Sequence, residues 1–425
     1  MNRDHHLVIV GGGVAGLDIA SRIGGRDALR VTLIDREPAH IWKPMLHTIA
    51  AGTQSSSFQQ TSFVGQARER GFAYQPGEAI GIDRKQREVR LGPIVADGRD
   101  IVPARSVSYD TLVLAVGSEA NDFGTPGAGR HCLTINSRGQ AIAFNDRMRI
   151  ELLHALAQDR TFGVAIVGGG ATGVELAAEI VQLAEIVQGY GISGLRERVR
   201  ISLIDTGDRL LRAFPERISH AVAARLREMG VEVNLSVKVV SVDEEAFNLS
   251  DGKIVRAEMK VWAAGVRAPG LLSTIEGIQL SKLGQIVVGD DLRSVDDRSI
   301  VGVGDCASPR FADASILVPT TAQAASQEAD YLVRHLPTLI AGGTAPAFQY
   351  RDFGSLVSLG GYDAYGTLGR IGLFGGGFLK GRVAQLGHAL LYRRHQARLH
   401  GMGRGSLLWL ADVLNARVRP RARLS

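Results

Sequence analysis

The sequence predicts an α/β fold of two doubly wound domains, one inserted in the other, followed by amphipathic C-terminal helices. Three observations lead there. A strand, glycine turn, helix and strand read LVIV, GGGVAG, LDIASRIGG and VTLID, ending at Asp35. The arrangement returns as VAIV, GGGATG, VELAAEIVQLAEIV and ISLID, ending at Asp205. The copies begin about 157 residues apart, which is a repeat of whole domains and not of small solenoid units. Finally, YDTLVLAVG (Tyr109 to Gly117), KVWAAG (Lys260 to Gly265) and RSIVGVGDCA (Arg298 to Ala307) are apolar strands closing on glycine. They supply the further strands of two Rossmann-like sheets, the first split around the second. The expected boundaries are 1–120 and 266–335 for the split domain, 121–265 for the inserted one and 336–425 for the C-terminal region.

A chain of 425 residues exceeds one ordinary core, so two or three domains are expected. Hydrophobic residues at 45% and charged ones at 22% suit a folded globular protein. Much of the glycine sits in short clusters after apolar runs, the pattern of turns that approach a ligand. Cys132 and Cys306 form no CxxC pair and no disulfide framework, which favours a reducing compartment. Neither a cleavable signal before Leu7 nor an apolar run of about 18 residues is read, so no spanning helix is expected. The net charge of +6 is uneven: residues 376–425 hold ten basic residues against Asp412 alone, or +9, leaving −3 for the rest. Such a tail seeks an anionic partner.

Gly11, Gly13 and Gly16 fit GxGxxG between a strand and a helix. The first glycine permits the turn, the second clears space for a pyrophosphate and the third lets helix and strand pack closely. The helix N-terminus adds unpaired N–H groups and positive partial charge. Asp35, 19 residues after Gly16, can accept hydrogen bonds from an adenosine ribose. Gly168, Gly170 and Gly173 repeat the motif, with Asp205 32 residues on because QGYGISGLRERV lengthens the connection. A carboxylate at Asp205 repels a 2′-phosphate and so favours NADH over NADPH, although Arg209 lies close in sequence. Two dinucleotide sites in one chain imply a relay, and the useful pair is NADH as hydride donor with a flavin as acceptor.

The order GGGVAG, LAVG, VGGGATGVELAAEI, WAAG, VGVGDCA resembles the two-dinucleotide-binding flavoproteins. That resemblance implies FAD on the first fold, NADH on the inserted one and Asp305 on the FAD ribityl chain. Disulfide reductases of that superfamily need a cysteine pair soon after the first βαβ unit, and HIWKPMLHTIAAGT (His40 to Thr53) holds none. Three stretches instead resemble type II NADH dehydrogenases, which reduce a membrane quinone without pumping protons. They are His40 to Thr53 with Trp42, Lys43 and Pro44, then PTTAQAASQEA with Gln323 and Gln327, and FLKGRVAQLGHALLYRRHQARLHG with its RVRPR ending. The resemblance implies that Lys43 belongs to a flavin-side loop, that Gln323 and Gln327 serve the quinone, and that Glu175 contacts the nicotinamide end. A sulfide- or ferredoxin-linked reductase on the same fold is the alternative. Cys306, at a strand end, reads as a packing residue.

A helix opened by Pro319 is expected to aim its positive end at the flavin, with Gln323 and Gln327 on one face. Leu379, Val383, Leu386 and Leu390 are spaced as one apolar stripe, and Leu407, Leu408, Trp409, Leu410 and Leu414 form a second apolar segment. With the nearby arginines they read as a monotopic anchor on anionic lipid, at the cytoplasmic face of the cell membrane. Packing on the protein's own body, or on a second subunit in a homodimer, is the competing use of that face. Nucleic acid is not expected, because the tail offers few aromatics for base stacking.

Overall fold

Short Val/Ile/Leu runs broken by glycine turns favour parallel strands buried on both faces. The computed structural model describes residues 4–54, 60–189, 194–311, 318–368, 370–371, 374–375 and 378–418. Its first elements are β1 (His5–Val10), α1 (Val14–Ile23), β2 (Leu29–Asp35), α2 (Leu46–Ala51), β3 (Ala73–Pro76) and β4 (Thr111–Leu114). Then come β5 (Phe162–Val167), α3 (Ala171–Gly189), β6 (Val199–Ile204), β7 (Val231–Asn234), β8 (Met259–Trp262) and β9 (Ile300–Gly302). The chain continues with α4 (Ala322–Ile340), β10 (Gly354–Leu359), β11 (Asp363–Leu368), β12 (Phe378–Lys380), α5 (Arg382–His400) and α6 (Met402–Val418).

Two compact units result. The first comprises Met1–Lys43, Gln59–Glu119 and Val266–Arg351, and the second Pro44–Phe58, Ala120–Gly265 and Asp352–Ser425. In the first, five parallel strands lie in the order β9-β4-β1-β2-β3. Leu7, Val8 and Ile9 are fully buried at its centre, and α1 packs on α4. In the second, four parallel strands lie in the order β7-β6-β5-β8. Helix α3 packs against α2, β6 and β10. The expected C-terminal region does not stand apart. From Asp352 onward it belongs to the second unit, as does Pro44–Phe58. Both carry side chains that bond to α3 or to its neighbours, and sequence distance hides those bonds.

Two local expectations are corrected. Helix α4 does not open at Pro319. It starts at Ala322, and the Thr321 side chain caps it by accepting from the Ala324 N–H at 3.2 Å. A threonine cap satisfies an otherwise orphaned N–H, which proline cannot do. Leu379 does not share a helical stripe with Val383, because it lies in β12, paired with β11, and Gly381 at φ +72° separates the strand from α5. Val383, Leu386 and Leu390 do lie on α5, all more than half exposed. Of the basic tail, Arg419, Arg421 and Arg423 lie outside the described residues.

Candidate functional site

The two glycine loops are built alike. Gly11 has φ +101°, and a Cβ there would collide with the Ala115 carbonyl. A Cβ on Gly16 would overlap the Gly11 carbonyl. Gly168, at φ +118°, faces Ala263 in the same way, and Gly173 faces the Gly168 carbonyl. The middle glycines differ: Gly13 meets nothing closer than the Ala115 oxygen at 4.0 Å, and Gly170 meets nothing within 4 Å. Protein therefore crowds two positions of each loop and leaves the third open, the clearance a pyrophosphate needs.

Each aspartate at the strand end stitches its own loop. The Gly12 N–H donates to Asp35 Oδ2 at 2.6 Å and the Glu37 N–H to Oδ1 at 2.8 Å. Gly169 N–H donates to Asp205 Oδ2 at 2.5 Å and Gly207 N–H to Oδ1 at 2.6 Å. Burial pushes the Asp35 pKa upward, opposed by those two N–H donors. Buried His40 adds a bond that motif reading missed, donating Nδ1–H to the Gly12 carbonyl at 2.9 Å. A histidine five residues past a strand-end acid has no local periodicity to announce it.

Lys43, Ser118 and Asp305 form a second cluster in the first unit. Lys43 Nζ donates to the Ser118 carbonyl at 2.7 Å and its hydroxyl at 3.3 Å, and that hydroxyl donates to Asp305 Oδ2 at 2.6 Å. Burial pulls the Lys43 ammonium below its ordinary pKa, while Asp305 and Glu119 push it back up. Gln285 donates to the Asp305 carbonyl at 2.9 Å. Glu328 of α4 accepts from the Gly304 N–H, and burial raises its carboxyl to about 8. Cys306 is fully buried, its thiol pushed to about 12 and bonded to the Leu114 and Val303 carbonyls. It is a packing residue. On α4, Gln323 is half-buried, whereas Gln327 uses both ends of its amide on the Arg351 backbone, at 2.8 and 2.9 Å.

In the second unit Glu175 is buried, not a solvated acid at a helix start. Its Oε1 accepts from the Ser358 N–H at 3.0 Å, and its Oε2 lies 3.5 Å from His47 Nδ1. Burial raises its carboxyl to about 8, with the neighbouring Glu179 adding to the shift. Glu179, one turn on, is also buried and accepts from the Thr53 hydroxyl. Sequence reasoning named neither Glu179 nor His47 as a site residue, although their spacing from Glu175 and Lys43 lay in view.

The comparisons agree with this geometry. The Pyridine nucleotide-disulphide oxidoreductase family matches residues 5–329. A type II NADH:quinone oxidoreductase of Haemophilus influenzae is 36% identical, with 99% of each chain covered. The relative NdhA of Mycobacterium tuberculosis, also called a type II NADH:quinone oxidoreductase, is 28% identical over 97% of this chain and 91% of its own. Among solved structures, NDH2 from Plasmodium falciparum in complex with NADH superimposes with TM-score 0.85 at 19% identity, covering 100% of both chains. The sulfide:quinone oxidoreductase of Aquifex aeolicus reaches 0.73 at 16% identity, covering 93% and 92%. Twin glycine cradles, a first βαβ unit with no cysteine pair after it, and this end-to-end likeness place the chain in the type II NADH:quinone oxidoreductases.

Proposed function

We infer that the chain oxidises NADH and passes two electrons to a quinone, with FAD as its resident cofactor. The observation that carries this is the pair of cradles, each open only over its middle glycine and each in a unit that holds its own cluster of charged side chains, Lys43 with Asp305 in the first and Glu175 with His47 in the second. The first unit suits FAD: Gly11, Gly13 and Gly16 receive the pyrophosphate, Asp35 holds the loop, and the Lys43–Ser118–Asp305 cluster meets the ribityl and flavin end. The second unit suits NADH, with Gly168, Gly170 and Gly173 on the pyrophosphate and Glu175 at the nicotinamide end. Bound FAD supplies the redox chemistry, taking electrons from NADH and releasing them to the quinone.

The protein contributes position and charge. Lys43 offers a positive group that the Ser118 carbonyl and hydroxyl hold in place. The Thr321-capped start of α4 presents N–H groups and the positive end of a helix dipole. Gln323 and Gln327, one turn apart on α4, are the quinone contacts, and the Gln327 amide is fixed in place by the Arg351 backbone. Reaching a lipid-borne quinone calls for contact with the bilayer, and no described helix is long and apolar enough to cross one. Helices α5 and α6 expose Val383, Leu386, Leu390, Leu407, Trp409 and Leu410 beside arginines, which suits a surface anchor on the cytoplasmic face. The test is a visible spectrum under anaerobic conditions. NADH should bleach a flavin band and quinone should restore it; a band that NADH leaves unchanged, or that quinone does not restore, overturns the reading.

A further inference from the structure

We propose that Glu179, Thr53, Glu175 and His47 form a proton-uptake relay, through which the proton consumed in quinone reduction enters the second unit from water. The inference rests on the NADH:quinone reading. In that reaction NADH, a quinone and one proton become NAD⁺ and the quinol. The hydride carries two electrons and one proton, so the second quinol proton comes from solvent in every turnover.

The geometry supplies a route. A cavity of about 240 Å³ is lined by polar side chains that include His47, Thr53, Glu179 and Gln182, together with Ser358 and Gly360. It has room for several waters and enough polar partners to hold them. Glu179 lines this cavity and accepts from the Thr53 hydroxyl. Glu175 precedes Glu179 by four residues on α3, so both carboxyls share one helix face. Glu175 in turn lies 3.5 Å from His47 Nδ1, and His47 also borders the cavity. All three titratable groups are at most 6% exposed. Two acids on one buried helix face are costly if they serve packing alone, because apolar residues fill the same space without a desolvation penalty.

The groups that face them keep the carboxyls able to exchange protons. From α2 comes His47, from the segment after it the Thr53 hydroxyl, and from β10 the Ser358 N–H. Further along α3, Gln182 accepts from the Gly361 N–H and Glu185 from the Tyr362 hydroxyl. Among the described residues no lysine or arginine pairs with Glu175 or Glu179 to lock either as an anion. Burial raises both carboxyls above their ordinary pKa, which brings them towards the pH at which a relay must both take up and release a proton. In one turnover Glu175 releases its proton inward and regains one from Glu179, which is reloaded from cavity water. The relay ends as it began, and no electron passes through it.

Glu179→Gln keeps the shape and cannot ionise. Bleaching of the flavin band by NADH should keep its rate, whereas return of the band with a soluble quinone should slow at least about tenfold and more at high pH. Formate or azide, small weak acids that fit the cavity, should restore part of the lost rate. Independently of turnover, the infrared spectrum should lose a buried carboxyl C=O band that shifts in heavy water. Thr53→Val, which removes only the hydroxyl, should slow the same step, and it serves as the test if Glu179→Gln does not fold. An unaltered quinone step in a folded variant overturns the relay, as does slowing that neither weak acid nor pH changes. Wild-type protein whose band quinone does not restore refutes the NADH:quinone reading instead.

Discussion

Glu328 illustrates a cost that burial imposes on a single residue. Its carboxyl has an ordinary value of 4.5 and is raised to about 8 in the fold, by burial first. Between these values the unfolded chain has lost the proton and the native protein keeps it, so the native state binds more protons and stability falls as pH rises. One such group costs up to about 1.4 kcal/mol per pH unit across that window, and the slope ends above pH 8 where both states are ionised. Glu328→Gln can still accept from the Gly304 N–H but cannot ionise. Its melting temperature should therefore fall less between pH 5 and 8 than that of the wild type; parallel profiles would show that Glu328 is ionised in the native state. Asp205 and Arg209 decide another single-residue question. Arg209 donates to the Phe214 carbonyl at 2.9 Å, the Ser219 hydroxyl at 2.7 Å and the Arg212 carbonyl at 3.1 Å. It is committed to its own turn, which leaves the Asp205 carboxylate to oppose a 2′-phosphate. We expect kcat/KM for NADH to exceed that for NADPH by at least about tenfold, or about 1.4 kcal/mol. Equal use of both coenzymes would contradict this.

At the scale of elements, each glycine loop divides labour among three positions, and the division makes two substitutions behave differently. A Cβ at Gly170 meets no protein atom within 4 Å, whereas one at Gly173 runs into the Gly168 carbonyl. Gly170→Val should fold, stay yellow and lose at least about tenfold in kcat/KM for NADH, as charge-assisted phosphate bonds worth about 1.5–3 kcal/mol are displaced. Gly173→Val should destabilise the second unit itself. Colourless Gly170→Val protein would reverse the assignment of the two cradles. The α4 helix shows the same economy: Thr321 caps its start, Glu328 holds the Gly304 turn and Gln327 fastens the Arg351 backbone.

For the whole molecule, the relevant property is where charge and apolar surface collect. Residues 376–425 carry +9 on a chain whose remainder carries −3. On α5 and α6, Arg393 bonds Asp412 at 2.6 Å, and a Cβ on Gly405 would sit 3.2 Å from the Ala397 backbone, so the two helices cross closely. Ala384 and Leu399 are buried, which means that deleting the tail would also open the second unit. Charge on the exposed face is the cleaner test. Leu386→Glu with Leu390→Glu should leave the melting temperature within a few degrees, abolish sedimentation with anionic vesicles and spare NADH oxidation by a water-soluble acceptor. Undiminished vesicle binding would remove α5 from the anchor. Moderate salt should release the wild type only in part, because it screens arginines and not buried leucines.

Much of the architecture was legible in sequence because its causes are local. Apolar runs ending in glycine predict buried parallel strands, and the glycine spacing around Gly11–Gly16 and Gly168–Gly173 predicts turns that only a phosphate-like ligand would need. The acids Asp35 and Asp205 were found by their distance from those loops, but their bonds to the Gly12 and Gly169 N–H groups were not, since that chemistry depends on strands meeting in space. The start of α4 at Ala322 and the placement of Leu379 in β12 turned on a cap and a strand pairing. The tertiary structure alone decided the rest: Ser118 between Lys43 and Asp305, Gln327 fastened to Arg351, and Thr53 and Ser358 brought to the acids of α3. These partners lie between 24 and 187 positions apart. Periodicity and spacing act over a few turns of chain, whereas burial and hydrogen bonding select partners by proximity in the folded state.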